Sequence, residues 1–161
     1  MNEAWILGKH DKGTVESTSD SGSADVLVSE EKEAGGAVKA RWSARKHPDG
    51  RYLLHGQQTF FYGNGQKQWE VNFEDGRKVG IETFSDHDGR KVWSWDHQGN
   101  GTRLWTQFWP NGQKKHESAW RDGRCEGVAK HWNNRGKLTG QFEFKDGNLV
   151  GDDGVWKYPG E

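Results

Sequence analysis

Four glycines, Gly65, Gly89, Gly112 and Gly136, stand 24, 23 and 24 residues apart, and two further series keep step with them. The second series is Gly76, Gly99, Gly123 and Gly147. The third is Gly56, Gly80, Gly127 and Gly151, with Arg103 where its remaining member would fall. A fixed period of this length marks a repeat protein, whose single unit is too small to bury a hydrophobic face and must stack on its neighbours. Function in such a chain is sought on a shared surface rather than in one catalytic pocket.

Within a unit the pattern reads as a hairpin. Residues 57–62 form an outgoing strand, Gly63-Asn64-Gly65 turns, residues 66–73 return, and Asp75-Gly76 turns again. Asn-Gly and Asp-Gly favour the positive φ that tight hairpin turns demand. The strands between them run five to eight residues, a usual length, and no segment offers a helical stripe of three turns. The predicted fold is all-β, an elongated antiparallel β-hairpin repeat array with about 24 residues per unit. Residues 1–37 read as a polar, acidic, partly flexible segment whose Trp5-Ile6-Leu7 and Val26-Leu27-Val28 patches are candidates to dock as edge strands. The repeat domain spans 38–161, with a partial unit at 38–55, units at 56–79, 80–102, 103–126 and 127–150, and a clipped unit at 151–161. In that last piece Trp156 and Gly160 follow Trp132 and Gly136 by 24 residues.

Only 30% of the chain is hydrophobic and the mean hydropathy is −1.12, yet it holds 10 Trp, 7 Phe and 3 Tyr. Each buried ring removes a large area from water, so a thin aromatic core replaces a thick aliphatic one. Strand alternation puts Trp69, Val71 and Phe73 on one face, and likewise Trp93 with Trp95, Ser118 with Trp120, and Phe142 with Phe144. Trp69, Phe73, Trp120 and Phe144 are the expected core. On the outgoing strands Phe60, Tyr62, Phe84 and Trp109 point one way, and Phe61, Phe108 and Trp132 the other. Rings on both faces imply a sheet covered on both sides or a face left as a sticky surface. Phe61, Trp105, Phe108, Trp109 and Trp132 are the candidate binding surface.

Other chemistry finds little support. With 23 Lys+Arg against 24 Asp+Glu, the net charge of −1 gives no bulk drive toward nucleic acid or an anionic membrane. Cys125 is the only cysteine, so no intrachain disulfide forms; it reads as an idle surface thiol. With no apolar span and no basic leader, the chain reads as cytoplasmic. No Gly-x-Ser-x-Gly elbow, His-Glu-x-x-His pair or Walker loop is present. The seven histidines are scattered, although His87 with His97, or His116 with His131, fall where neighbouring strands bring them together. Glu70 and Glu117 occupy equivalent positions and are expected to pair with lysines across the hairpin. No catalytic residue, metal ligand or cofactor is assigned.

Two units carry a fuller signature. One reads Phe61-Tyr62-Gly63-Asn64-Gly65-Gln66-Lys67, Glu70, Phe73, Asp75-Gly76-Arg77 and Gly80. The other reads Phe108-Trp109-Pro110-Asn111-Gly112-Gln113-Lys114, Glu117, Trp120, Asp122-Gly123-Arg124 and Gly127. These residues resemble the variant MORN repeat (membrane occupation and recognition nexus) of bacterial YwqK-like antitoxins, over roughly residues 50–160. The resemblance implies successive antiparallel hairpins that serve as a binding surface, and the antitoxin members imply neutralisation of a partner protein by contact. The leading expectation is therefore a non-enzymatic scaffold for an unidentified protein partner, with homo-oligomers through open sheet edges as a further option. The alternative is a carbohydrate or cell-wall module stacking sugars on exposed rings. Lipid binding, which the family name evokes, is disfavoured by the near-zero charge.

Overall fold

The computed structural model describes residues 26–150, which form thirteen strands and no helix. They are β1 (Val26–Lys32), β2 (Val38–Lys46), β3 (Tyr52–Leu54), β4 (Gly56–Phe61), β5 (Lys67–Glu74), β6 (Arg77–Ser85), β7 (Lys91–His97), β8 (Thr102–Phe108), β9 (Lys114–Arg121), β10 (Arg124–Cys125), β11 (Gly127–Trp132), β12 (Leu138–Lys145) and β13 (Asn148–Val150). The chain divides into two compact units between Gly89 and Arg90. The N-terminal unit runs β1-β2-β4-β5-β6 with β3 beside β2; the C-terminal unit runs β7-β8-β9-β11-β12-β13 with β10 beside β9. All pairings within each unit are antiparallel.

The expected hairpin is present: β4 pairs β5 from Gly56↔Phe73 to Phe60↔Trp69. The Val26-Leu27-Val28 patch also forms a strand, pairing with Arg45, Ala44 and Ser43 of β2, so the β1–β2 hairpin crosses the boundary drawn at residue 37. The Trp5-Ile6-Leu7 patch and the clipped unit at 151–161 lie outside the described residues.

Two turn chemistries alternate. Asp75-Gly76, Asp122-Gly123 and Asp146-Gly147 have φ between 46° and 84° at both central positions, the mirror-image two-residue turn whose twist matches that of the flanking strands. The other turn is wider. Gly65 N–H donates to Tyr62 O at 2.8 Å, Tyr62 N–H to Gln66 O at 2.8 Å, and Asn64 Oδ1 accepts from Gln66 N at 3.0 Å. A one-residue slip between Phe60 and Phe61 absorbs the extra turn residue as a bulge. Trp109 to Gln113 repeat these bonds.

Two of the wide turns are tied to a later one. Asn64 Nδ2 donates to His87 O at 2.8 Å and Asn111 Nδ2 to Asn134 O at 2.6 Å, both across 23 residues. Tyr62 Oη donates to Ser85 O and Trp109 Nε1 to Trp132 O over the same separation. A separation of 23 residues thus brings the amide of each of these two turns to the carbonyl of a later turn.

The third glycine series has its own role. At Gly80, with φ of 65°, the β5–β6 register jumps from Glu70↔Thr83 to Asn72↔Val79. Gly127, with φ of 82°, stands at the same point two periods later. Arg103 occupies the matching place in β8, and there the jump is absent. The β7–β8 ladder runs evenly from Trp93↔Gln107 to His97↔Arg103, and the loop between its last pair lengthens to residues 98–102 in place of an Asp-Gly turn. The irregular unit consequently projects an arginine side chain where its siblings have none.

The two units differ in their interiors. Among the described residues the buried apolar ones, Ala40, Ala44, Leu53, Leu54, Val71 and Phe73, all lie in the N-terminal unit, where Trp42 and Trp69 pack on a cluster of Leu54, Val71 and Phe73. Glu82, 4% exposed, closes this core by accepting from Trp69 Nε1 at 2.8 Å and Lys78 Nζ at 2.7 Å. In the C-terminal unit the only buried side chains among the described residues are Thr106 and Ser118. Of the four expected core rings, Phe73 is buried; Trp69, Trp120 and Phe144 are half-buried.

Candidate binding surface

Residues directly opposite in an antiparallel ladder share a face, so the register sorts the C-terminal unit completely. Trp95↔Trp105↔Ser118, Trp93↔Gln107↔His116↔His131 and His97↔Arg103↔Trp120 lie on one face. Ala129↔Phe142, His131↔Gly140 and Gly127↔Phe144 extend it. Ser94↔Thr106↔Glu117↔Lys130 and Asp96↔Leu104↔Ala119 lie on the other.

The first face is a ribbon of rings. Trp95 meets Trp120 edge-on at 6.1 Å and Trp105 at 6.4 Å between centroids. Trp105 continues onto His116 at 6.4 Å, and His116 stacks on His131 at 4.3 Å with 17° between planes. Trp120 Nε1 donates to Ser118 Oγ at 2.8 Å, which fixes the ring's tilt over the strand. Trp93, Trp95, Trp105, Trp120, Phe142 and Phe144 are all half-buried.

Charge is divided as sharply as polarity. Across β7, β8, β9, β11 and β12 the ribbon face carries no carboxylate, whereas Asp96, Glu117 and Glu143 all point to the opposite face. Arg103 is exposed on the ribbon face opposite Trp120, without an ion-pair partner among the described residues. Burial, then the neighbouring His131 and Lys115, hold the His116 imidazole below its ordinary pKa.

The five candidate residues separate. Trp105 lies at the centre of the ribbon. Phe61, Phe108 and Trp132 each follow a bulge, and each ring lies under a cation of a neighbouring strand in the sheet: Arg41 at 5.5 Å, Lys91 at 5.3 Å and Lys114 at 5.9 Å. Trp109 lies under Lys115 at 4.7 Å and spends its N–H on Trp132 O. Such contacts contribute about 0.5–1 kcal/mol each at exposed sites and hold the rings in place as turn supports. The structure therefore brings Trp105 together with Trp93, Trp95, Trp120, His116, His131 and Arg103, which the sequence reading left outside the candidate surface.

Three further side-chain groups expected to matter lie in or beside these strands. Glu70 and Glu117 do bind lysines, but Lys67 and Lys114 belong to the carboxylates' own strands rather than to the partner strand of the hairpin. The bulge beside each wide turn rotates the lysine onto the glutamate's face, which makes a contact three residues apart possible within one strand. Cys125 is half-buried, and burial raises its thiol pKa, the opposite of what a nucleophile requires. His116 and His131 meet as stacked rings, and no group of three or more His, Cys, Asp or Glu among the described residues is placed to hold a metal ion. A hollow of about 240 Å³ beside the β9–β10 turn is lined by Arg121, Asp122, Arg124, Glu126 and Asp146, mixed charges without the apolar walls usual in small-molecule sites. No helix among the described residues is long and apolar enough to cross a membrane.

No protein-family model matches this chain, and no curated protein matches it.

Proposed function

We propose that this protein is a non-enzymatic interaction module, built of MORN-like hairpin units of about 24 residues, that binds a partner protein through the aromatic ribbon of its C-terminal unit. The observation that carries this reading is the division of labour between the two units. Positions that make a core in the first, Phe73 and Val71, are Trp120 and Ser118 two periods later, and the rings there stay half-exposed. Half-buried indoles beside an arginine have the composition of interaction hot spots, because they bury much area with few rotatable bonds. The resemblance to variant MORN repeats supports an antitoxin-like role, in which contact alone neutralises the partner.

Charge favours a protein over a neutral sugar. The ribbon face carries Arg103 and no carboxylate, an arrangement suited to a partner that brings carboxylates of its own. Site-specific photo-crosslinking tests the proposal. A benzophenone side chain placed at Trp105 should capture a protein in the native host, and the same group at Lys130 on the opposite face should not. Capture from neither position, or equally from both, would refute this function.

A further inference from the structure

Chain-wide neutrality conceals a segregation of charge. Between residues 26 and 89 there are 9 Lys+Arg and 10 Asp+Glu; between 90 and 150 there are 11 and 6. Within that second, basic stretch, the carboxylates of β7, β9 and β12 face away from the aromatic ribbon. The one repeat glycine that is replaced is replaced by Arg103, and with its loss the β7–β8 ladder runs evenly, so that an exposed cation stands opposite Trp120 and His97.

We infer that the ribbon docks an acidic, apolar-bearing peptide segment of its partner, with Arg103 receiving a carboxylate while Trp95, Trp105 and Trp120 cover the flanking apolar side chains. This rests on the protein-binding function proposed above and specifies the partner's chemistry. A guanidinium forks onto a carboxylate through two parallel hydrogen bonds, and a lysine at this position would offer only a point charge. The Trp95–Trp120 pair beside it excludes water from one side of such a contact, which strengthens the attraction. A backbone polyanion fits less well. The rings of Trp95, Trp105 and Trp120 are tilted 47° and 71° to one another rather than laid flat as a stacking platform, and Arg103 is the only arginine or lysine that the ladder places among them.

The experiment uses the full chain and three synthetic 12-residue peptides of alternating Glu and Leu, Gln and Leu, and Lys and Leu, with a 12-nucleotide oligothymidylate as a fourth probe. Binding is read by tryptophan fluorescence and by calorimetry. The acidic peptide should bind, and the glutamine version should bind about tenfold more weakly, the loss of one charge-assisted contact. Arg103→Ala should lose the same factor of about ten and Arg103→Lys several-fold, while Lys130→Ala, which removes equal charge from the other face, stays within about twofold. Circular dichroism verifies the fold of each variant. Equal binding of the acidic and glutamine peptides, equal loss from Arg103→Ala and Lys130→Ala, stronger binding of the oligothymidylate, or no binding of the acidic peptide overturns the inference. Crosslinking at Trp105 that persists in such a case leaves the protein-binding function standing and removes only the acidic specificity; loss of that crosslinking removes the function itself.

Discussion

Replacing Phe73 and Trp120 by alanine, one at a time, separates a core ring from a surface ring at equivalent points of the repeat. Phe73 is 4% exposed and belongs to the Leu54, Val71 and Phe73 cluster. Its removal deletes the transfer free energy of a buried aromatic and leaves a cavity that strands β4 and β5 cannot close, about 3–5 kcal/mol. Trp120 is half-buried and has Ser118, Arg103 and, edge-on, the half-buried Trp95 for neighbours. Solvent fills its place, so no cavity term arises, and roughly half of a 2–3 kcal/mol transfer term is lost, about 1–1.5 kcal/mol. The difference of about 2 kcal/mol or more corresponds to roughly 30-fold in an opening equilibrium. Native-state hydrogen exchange reads both in one experiment, because the amides of β5 and β9 report on their own units even where the two open separately. Phe73→Ala should lower protection in β5 by at least that factor more than Trp120→Ala lowers it in β9. Equal losses would mean that Trp120 is packed as a core residue, and the reasoning that makes the C-terminal face a binding surface would fail.

Three other outcomes follow from the geometry. Gly123→Ala should destabilise the β9–β10 turn by about 1–2 kcal/mol, since φ there is 78° and the penalty is conformational, with open space around the new methyl; Asp122→Asn should be neutral or slightly stabilising, and a neutral Gly123→Ala in chemical denaturation would contradict the turn assignment. Asn111→Ala removes both the amide bond to Asn134 O and the acceptor for Gln113 N, and should cost about 1–2 kcal/mol with faster exchange at both turns; loss confined to its own turn would show that the 23-residue rungs carry no stability. Because burial and neighbouring cationic groups depress the His116 pKa in the folded state, the unfolded chain binds that proton more readily, so stability rises with pH through this window. The C-terminal unit should lose stability as pH falls below about 6.5 and stay level above 7, and His116→Gln should flatten the curve if denaturation is followed from pH 5 to 8.

The turns were legible in the sequence because they are decided locally. Asp-Gly and Asn-Gly set positive φ without help from distant residues, and their positions located the β4–β5 hairpin and its turn. The covering of each ring was not, since it depends on what stands opposite across a strand. Phe73 and Trp120 look alike in a repeat alignment. They part company because Trp69 and Phe84, which flank the first core, are His116 and His131 in the second unit, while Val71 becomes Ser118 and Leu54 becomes Gly101. Those polar and small replacements were the available signal that the second face is wet. The supporting role of Phe61, Phe108 and Trp132 was hidden for another reason. Their cations come from strands some twenty positions earlier, and the bulge that aligns ring with cation is a register effect. Arg103 was visible as a broken glycine series, and only the even β7–β8 ladder revealed what the break accomplishes.

Hydroxyl-radical footprinting of the free protein, normalised for intrinsic side-chain reactivity, addresses the exposed ribbon most directly. Trp93, Trp95, Trp105 and Trp120 should be modified at rates only a few-fold below those of solvated indoles, while Phe73 and Leu54 are protected at least tenfold, the contrast expected between a half-open face and a closed core. Protection of the four indoles to the level of Phe73 would mean that the face is already covered in the free protein, and the binding surface described here would not exist.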